Sequence, residues 1–217
     1  MRFADRGDAG ARLAREVAAH SPRSPLVAAL PRGGVPVGFQ VAEALGCELD
    51  VVVVRKIGVP FHPELAMGAV AEGGVVIENR EIVRGVGIDE SEFASRAEME
   101  REEMEARVAR YRATVPAVDP AGRTVVVVDD GLATGSTALA AIAALRARDA
   151  LEVWLAVPVA PPDVTPVMTR AADRFIVLEQ PRRFVAVGAW YDDFSPTSDA
   201  EVVHLLERSR RPRGNGN

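Results

Sequence analysis

Cysteine, histidine and lysine are scarce in this chain, and each scarcity excludes something. Cys47 is the sole cysteine in 217 residues, so neither an intrachain disulfide nor a cysteine-based zinc cluster can form. His20, His62 and His204 are scattered without metal-ligand spacing, which marks them as surface or packing residues. No apolar run approaches the roughly 20 residues of a membrane span. The opening "MRFADRGDAGARLAREVA" sets acids and arginines where a signal peptide needs an apolar stretch. It reads as a strand-like lead and an amphipathic helix, and a cytoplasmic protein is expected. A basic surplus is also missing: the formal net charge is -5, against a nucleic acid as main partner. Of 26 basic residues only Lys56 is a lysine. A compact ammonium on a flexible stem is not equivalent to a planar guanidinium, so Lys56 is a candidate for a specific task.

What is present is ordinary for a globular chain, 48% hydrophobic and 26% charged, and its length suits one core. A single domain over 1–208 is expected, with a solvated, disordered basic tail at 209–217. Apolar runs of strand length at Leu26–Leu30, Leu49–Val54, Val125–Asp129, Glu152–Val159 and Arg174–Glu179 alternate with helical periodicity at Val35–Leu45, Thr134–Arg148, Pro162–Ala172 and Ser198–Arg208. Continuous apolar strands alternating with helices predict an α/β fold with a central parallel sheet covered on both faces. An insertion at about 57–113 interrupts the rhythm. "AMGAVAEGGVVIEN" reads as a ribbon turning at "EGG". "DESEFASRAEMEREEMEARVARYR" reads as a charged helix on the order of 35 Å long. Its narrow apolar stripe, Phe93, Ala97, Met104, Val108 and Tyr111, is expected to pack on the domain's flank, a homodimer contact being the other use of such a face.

Ligands of a parallel sheet sit at the carboxyl ends of its strands, and three such ends carry candidate chemistry. In "VVVVDDGLATGST" the small residues Gly131, Ala133 and Gly135 let successive N–H groups turn inward, and Thr134, Ser136 and Thr137 add hydroxyls at a helix start. This is an anion nest on a positive dipole end. Asp129 and Asp130 adjoin it. A like charge about 5 Å away costs about 3 kcal/mol at an effective dielectric near 20, so these carboxylates must face something other than the anion. Vicinal hydroxyls or a divalent cation suit them, and ribose 5-phosphate combines a phosphate with such a diol. The second end, "LPRGG", exposes the N–H groups of Gly33 and Gly34 around the guanidinium of Arg32, a second anion site. The third is Arg55 and Lys56 after "VVVV". Together they fit a ribose 5-phosphate carrying pyrophosphate on its anomeric carbon.

These motifs resemble the type I phosphoribosyltransferases, and "VVVVDDGLATGST" is close to the form found in adenine phosphoribosyltransferase. The narrower stretches "RKIGVPFHPELAMGAVAEGG" and "AVGAWYDDF" resemble an uncharacterised bacterial branch of that family. The resemblance implies a parallel sheet with a small hood, nucleotide salvage, and Mg²⁺-dependent transfer of a phosphoribosyl group from phosphoribosyl pyrophosphate to a nucleobase-like acceptor. It implies that Asp129 and Asp130 hold the ribose hydroxyls and that Ala133, Thr134, Gly135, Ser136 and Thr137 bind the 5-phosphate. Arg32, Gly33, Gly34, Arg55 and Lys56 would take the pyrophosphate, in a loop that often holds a cis peptide. Glu72 falls where the adenine enzyme carries a catalytic glutamate. "PRRFVAVGAWYDDF" is similar to a base-binding hood segment, which implies a base pocket of Phe184, Val185, Trp190 and Tyr191. By the same resemblance Asp192 would join Asp129 and Asp130 at the metal. Two departures stand out: Ala133 replaces an aspartate that serves the 6-oxopurine enzymes, and one extra residue precedes Gly188. A regulatory protein of the same fold, sensing phosphoribosyl pyrophosphate without turning it over, is the alternative.

Overall fold

Strands that are apolar on both faces are satisfied only between two layers of helices. The structure, a computed structural model, describes residues 2–60 and 62–211. Along the chain run α1 (Arg6–Ala19), β1 (Leu26–Ala29), α2 (Gly34–Leu45), β2 (Glu48–Val51), β3 (Val54–Val59), β4 (His62–Ala71), β5 (Val75–Glu78), α3 (Arg80–Val86) and α4 (Glu90–Arg112). There follow β6 (Thr124–Val128), α5 (Ser136–Arg146), β7 (Glu152–Val159), α6 (Thr165–Ala171), β8 (Arg174–Glu179) and α7 (Asp199–Arg210). Five strands form a parallel sheet in the order β2-β1-β6-β7-β8, and β3-β4-β5 form a small antiparallel sheet.

Successive valines of β6 serve opposite faces. Val126 and Val128 pack toward α1, α2 and α7, while Val125 and Val127 pack toward α5 and α6. All four are fully buried, at roughly 1.5–3 kcal/mol of favourable transfer each. The chain leaves β1 through α2 toward one edge and leaves β6 through α5 toward the other. β1 and β6 are neighbours in register, with Ala29 opposite Val128. Their following loops therefore diverge from one point, which opens a crevice at the sheet's centre.

The expected parallel α/β sheet is present, with three differences of detail. The run "LDVVVV" is not one strand: β2 ends at Val51 and β3 begins at Val54 in the other sheet. Arg55 and Lys56 thus lie inside a strand of the ribbon rather than after a strand of the core. A short helix, α3, follows the ribbon. α7 continues to Arg210, so the expected tail starts later than 209; Arg210 donates to Glu48 and to the Pro116 carbonyl. The remainder of that tail, 212–217, lies outside the described residues.

The long helix packs on the flank. Ala97, Met104 and Tyr111, seven residues apart and so on one face, are buried, with Phe93 and Val108 half-buried beside them. They meet β3, β4 and α7. Asp89 caps the helix by accepting the Glu92 N–H at 2.8 Å, and Arg110 and Arg112 occupy the last turn, the favourable charge for each end of the dipole. Among the described residues no helix is long and apolar enough to cross a membrane.

Candidate functional site

The turn after β6 is shaped by what holds it from below. Leu132 is buried and its N–H donates to the Val159 carbonyl at 2.9 Å, while Ala133 and Thr134 stand exposed. Gly135 precedes α5 with φ at +74°, a left-handed conformation that disfavours a side chain. Apart from a long 3.5 Å bond from the Ser136 N–H to the Thr134 hydroxyl, no side chain caps α5 and no acid lies in its first turn, which leaves its positive dipole end open to an anion. The hydroxyls of Thr134 and Ser136 lie 3.1 Å apart on the same rim. This part of the structure can hold a phosphate.

Asp129 and Asp130 stand at the head of that turn. Asp129 Oδ1 accepts the Asp130 N–H at 2.9 Å. Burial, and then the neighbouring Asp130 charge, push the Asp129 carboxyl well above the ordinary carboxylate range. Burial raises Asp130 as well, against the opposing pull of the Arg6 guanidinium. Arg6 Nε donates to Asp130 Oδ2 at 2.8 Å, and the Tyr191 hydroxyl donates to the Asp130 carbonyl at 2.6 Å.

The loop after β1 closes over the same carboxylates. The peptide between Pro31 and Arg32 is cis. A Cβ on Gly33 would fall on the Asp130 carboxylate, and one on Gly34 would lie 2.6 Å from the Val128 carbonyl oxygen and 2.9 Å from the Asp129 Cα. Because backbone cannot step aside, Gly34→Ala is expected to destabilise the protein by about 1–3 kcal/mol. It should also spread the two loops, so denaturant midpoint and phosphate-ligand affinity fall together. Arg32 is half exposed beside them, 4.0 Å from Asp199 at the start of α7. Asp199 also accepts from Tyr111 at 2.9 Å and from Arg110 at 3.0 Å. Burial first, then the bond to Asp199, raise the Tyr111 hydroxyl to about 12. The loop cation is thereby tied to the end of α4.

Two phosphate-compatible turns and an acid pair on adjacent central strands set the frame for comparison. A model of the phosphoribosyl transferase domain matches residues 4–187. The chain belongs to the phosphoribosyl transferase domain family. Two curated relatives from Mycobacterium tuberculosis, strains H37Rv and CDC 1551 / Oshkosh, are named provisionally as phosphoribosyl transferases. Each is 46% identical over 209 residues, covering 96% of this chain and 47% of the relative. The chain therefore spans about half the length of the curated relatives it matches. The solved structure of TT1426 from Thermus thermophilus is similar at 42% identity and a TM-score of 0.89, over 96% of this chain and 99% of that one. The AQ2163 protein of Aquifex aeolicus shares the fold at 11% identity and a TM-score of 0.50, over 82% of this chain and 74% of that one.

Within the phosphoribosyl transferase fold, several residues expected at the site stand elsewhere. Arg55 faces α4, bound to Glu100 and Glu103 at 2.6 Å each. Lys56, next along β3, takes the opposite side of the ribbon by strand alternation, the side on which Val54 packs toward the α5 core. Of this pair, Lys56 is the one on the face of the ribbon that lies toward α5. Glu72 is not an open base: both its oxygens accept from Arg112, at 2.7 and 2.9 Å, because the ribbon's turn lies against the end of α4. Tyr191 presents no face to a base, since its ring lies between Phe3 and Phe194, at centroid distances of 5.4 and 5.0 Å, and is 2% exposed. Phe184 and Trp190 pack half-buried against the same cluster, whereas Val185 is 88% exposed. Asp192 points outward to Arg2 at 3.1 Å and does not join the acid pair. Among the described residues no three His, Cys, Asp or Glu side chains are grouped to hold a metal. Asp129 and Asp130 are two carboxylates, so a divalent cation held here would take its remaining ligands from something other than these side chains.

The residues not anticipated are Arg6, Phe194 and Asp199. Arg6 carries the clearest signal in hindsight, a basic residue directly after the helix-capping Asp5, but its partner is 124 positions away.

Proposed function

We propose that the protein transfers the 5-phosphoribosyl group from phosphoribosyl pyrophosphate to a nitrogenous base, with release of pyrophosphate. The observation that carries this is the acid pair set between an uncapped glycine-started helix and the cis-peptide loop of the neighbouring strand. A phosphate at Ala133–Thr137 places the sugar hydroxyls against Asp129 and Asp130, and the anomeric substituent then falls toward Gly33, Gly34, Arg32 and Lys56. In the reaction a ring nitrogen forms a bond to the anomeric carbon as the bond from that carbon to the pyrophosphate oxygen breaks. Positive charge develops on the sugar, as in glycoside cleavage, and the adjacent carboxylates stabilise it. Arg32, Gly33, Gly34 and Lys56 would hold a pyrophosphate bound as its Mg²⁺ complex, and the ion would supply charge for the leaving group. Glu72, held by Arg112, is left out of the proton transfer.

The test is isothermal titration of the full chain with phosphoribosyl pyrophosphate, with and without Mg²⁺, followed by pyrophosphate release with a panel of purines and pyrimidines. Mg²⁺-dependent binding and release with at least one base are expected. Absence of Mg²⁺-dependent binding would refute the reading, and binding without release from any base would favour a sensor.

A further inference from the structure

Arg6 begins α1, yet its side chain is as secluded as the carboxylate it meets, 11% exposed against 14%. Besides the bond from Nε to Asp130 Oδ2, Nη1 donates to the Ser195 carbonyl at 2.8 Å, and the guanidinium lies 3.9 Å from the Phe194 ring centroid. Contacts on two separate segments, at Asp130 and at Phe194 and Ser195, fix the planar fork in one orientation. Asp130 is fixed in turn by Tyr191 at its carbonyl and by Gly33 against its carboxylate.

The hydrogen bonds of the acid pair then leave a definite remainder. Oδ2 of Asp130 is committed to Arg6, and Oδ1 of Asp129 to the Asp130 N–H. Among the described residues no other residue donates to Asp130 Oδ1 or Asp129 Oδ2, although the Asp130 carboxyl also lies near its own backbone N–H. One open acceptor on each of two adjacent carboxylates matches two vicinal hydroxyls. The guanidinium also offsets one of the two negative charges that would otherwise repel a phosphorylated ligand.

We propose that Arg6 is a positioning residue for sugar recognition: it grips one oxygen of Asp130 so that the other faces a ribose hydroxyl. Arg6 itself does not touch the sugar. The inference rests on the reading of this site as one for a ribose phosphate, and it adds the element that selects ribose over a sugar lacking a hydroxyl.

The experiment titrates ribose 5-phosphate and 2-deoxyribose 5-phosphate into the full-length wild type, Arg6→Met and Arg6→Lys. Wild type is expected to prefer the ribose compound about tenfold, the worth of one hydrogen bond to a charged acceptor. In Arg6→Met the preference should fall to about twofold or less, because a freed Asp130 carboxylate no longer holds one orientation. Arg6→Lys, with its charge kept, should recover part of it. This ratio does not follow from a loss of fold, which lowers both affinities alike. Arg6→Gln, a single neutral donor in place of the charged fork, is read instead should Arg6→Met not fold, and its preference should fall below that of wild type. An Arg6→Met or Arg6→Gln protein that keeps the wild-type preference, or an Arg6→Lys protein no better than Arg6→Met, overturns the assignment alone. A wild type that binds neither sugar phosphate nor phosphoribosyl pyrophosphate overturns the proposed function with it.

Discussion

Asp129→Asn is expected to make the free protein more stable and to remove most of its affinity for phosphoribosyl pyrophosphate. Burial and the adjacent Asp130 raise the Asp129 carboxyl well above its ordinary 3.8, so the folded state holds that proton more tightly than the unfolded chain does. Its contribution to stability is therefore greatest at low pH and is lost as pH rises through the folded-state value. Above the folded-state value the wild type carries an ionised, poorly solvated carboxylate beside a second one. Asparagine keeps the oxygen that accepts the Asp130 N–H and removes the charge. Relief of about 1–2 kcal/mol is the usual return for easing a functional site. For a chain of this size that raises Tm by about 2–8 °C at pH 8, and the gain should shrink toward pH 4. Loss of a charged acceptor at the sugar weakens binding by about 100-fold. Thermal unfolding at both pH values in EDTA, with titration of the ligand at pH 8, checks both halves. A variant less stable than wild type at pH 8, or one that binds normally, would show that Asp129 serves the fold rather than the ligand.

The same site shows why some of it was legible and some was not. "VVVVDDGLATGST" places a buried strand, two acids and a glycine-started helix within thirteen consecutive residues, so local chemistry and spacing are enough. "LPRGG" is equally local, and the parallel topology brings the two ends side by side. Arg55 and Lys56 were harder because the run Val51–Val54 crosses from one sheet to another with no glycine or proline to mark the break. Tyr191 looked available because aromatics near a hood can stack on a base. Its burial is decided by Phe3 at the other end of the chain and by Phe194 three residues on, and ring packing of that kind has no sequence period. Arg6 belongs to the same class: its basic charge directly after the capping Asp5 marks it out, but nothing local names the carboxylate that a strand in the second half of the chain brings to it.

Arg112→Met should cause the largest loss of stability of any single change considered for this protein. The guanidinium ends α4 and holds both oxygens of Glu72, Asp50 at 2.5 Å and the Val51 carbonyl at 3.2 Å. The three side chains are 14%, 15% and 6% exposed. Burial opposes the charge of Arg112, but its bonds to Glu72 and Asp50 more than offset this and raise its pKa above the ordinary arginine value. Asp50 Oδ2 also accepts the Val118 N–H at 2.8 Å, so the network pins the end of α4, the ribbon's turn, the end of β2 and the approach to β6. Methionine would fill most of the volume but leave two buried carboxylates without their counter-ion, at about 3–5 kcal/mol, or about 6–20 °C in Tm. Glu72→Gln then separates two roles for the glutamate. As an ion-pair partner its loss lowers Tm while leaving pyrophosphate release per folded molecule within about twofold of wild type; as a catalytic base its loss lowers turnover by about 100-fold with Tm little changed. The geometry favours the first outcome, because both oxygens already lie on one guanidinium, which holds the carboxylate at the ribbon's turn against the end of α4.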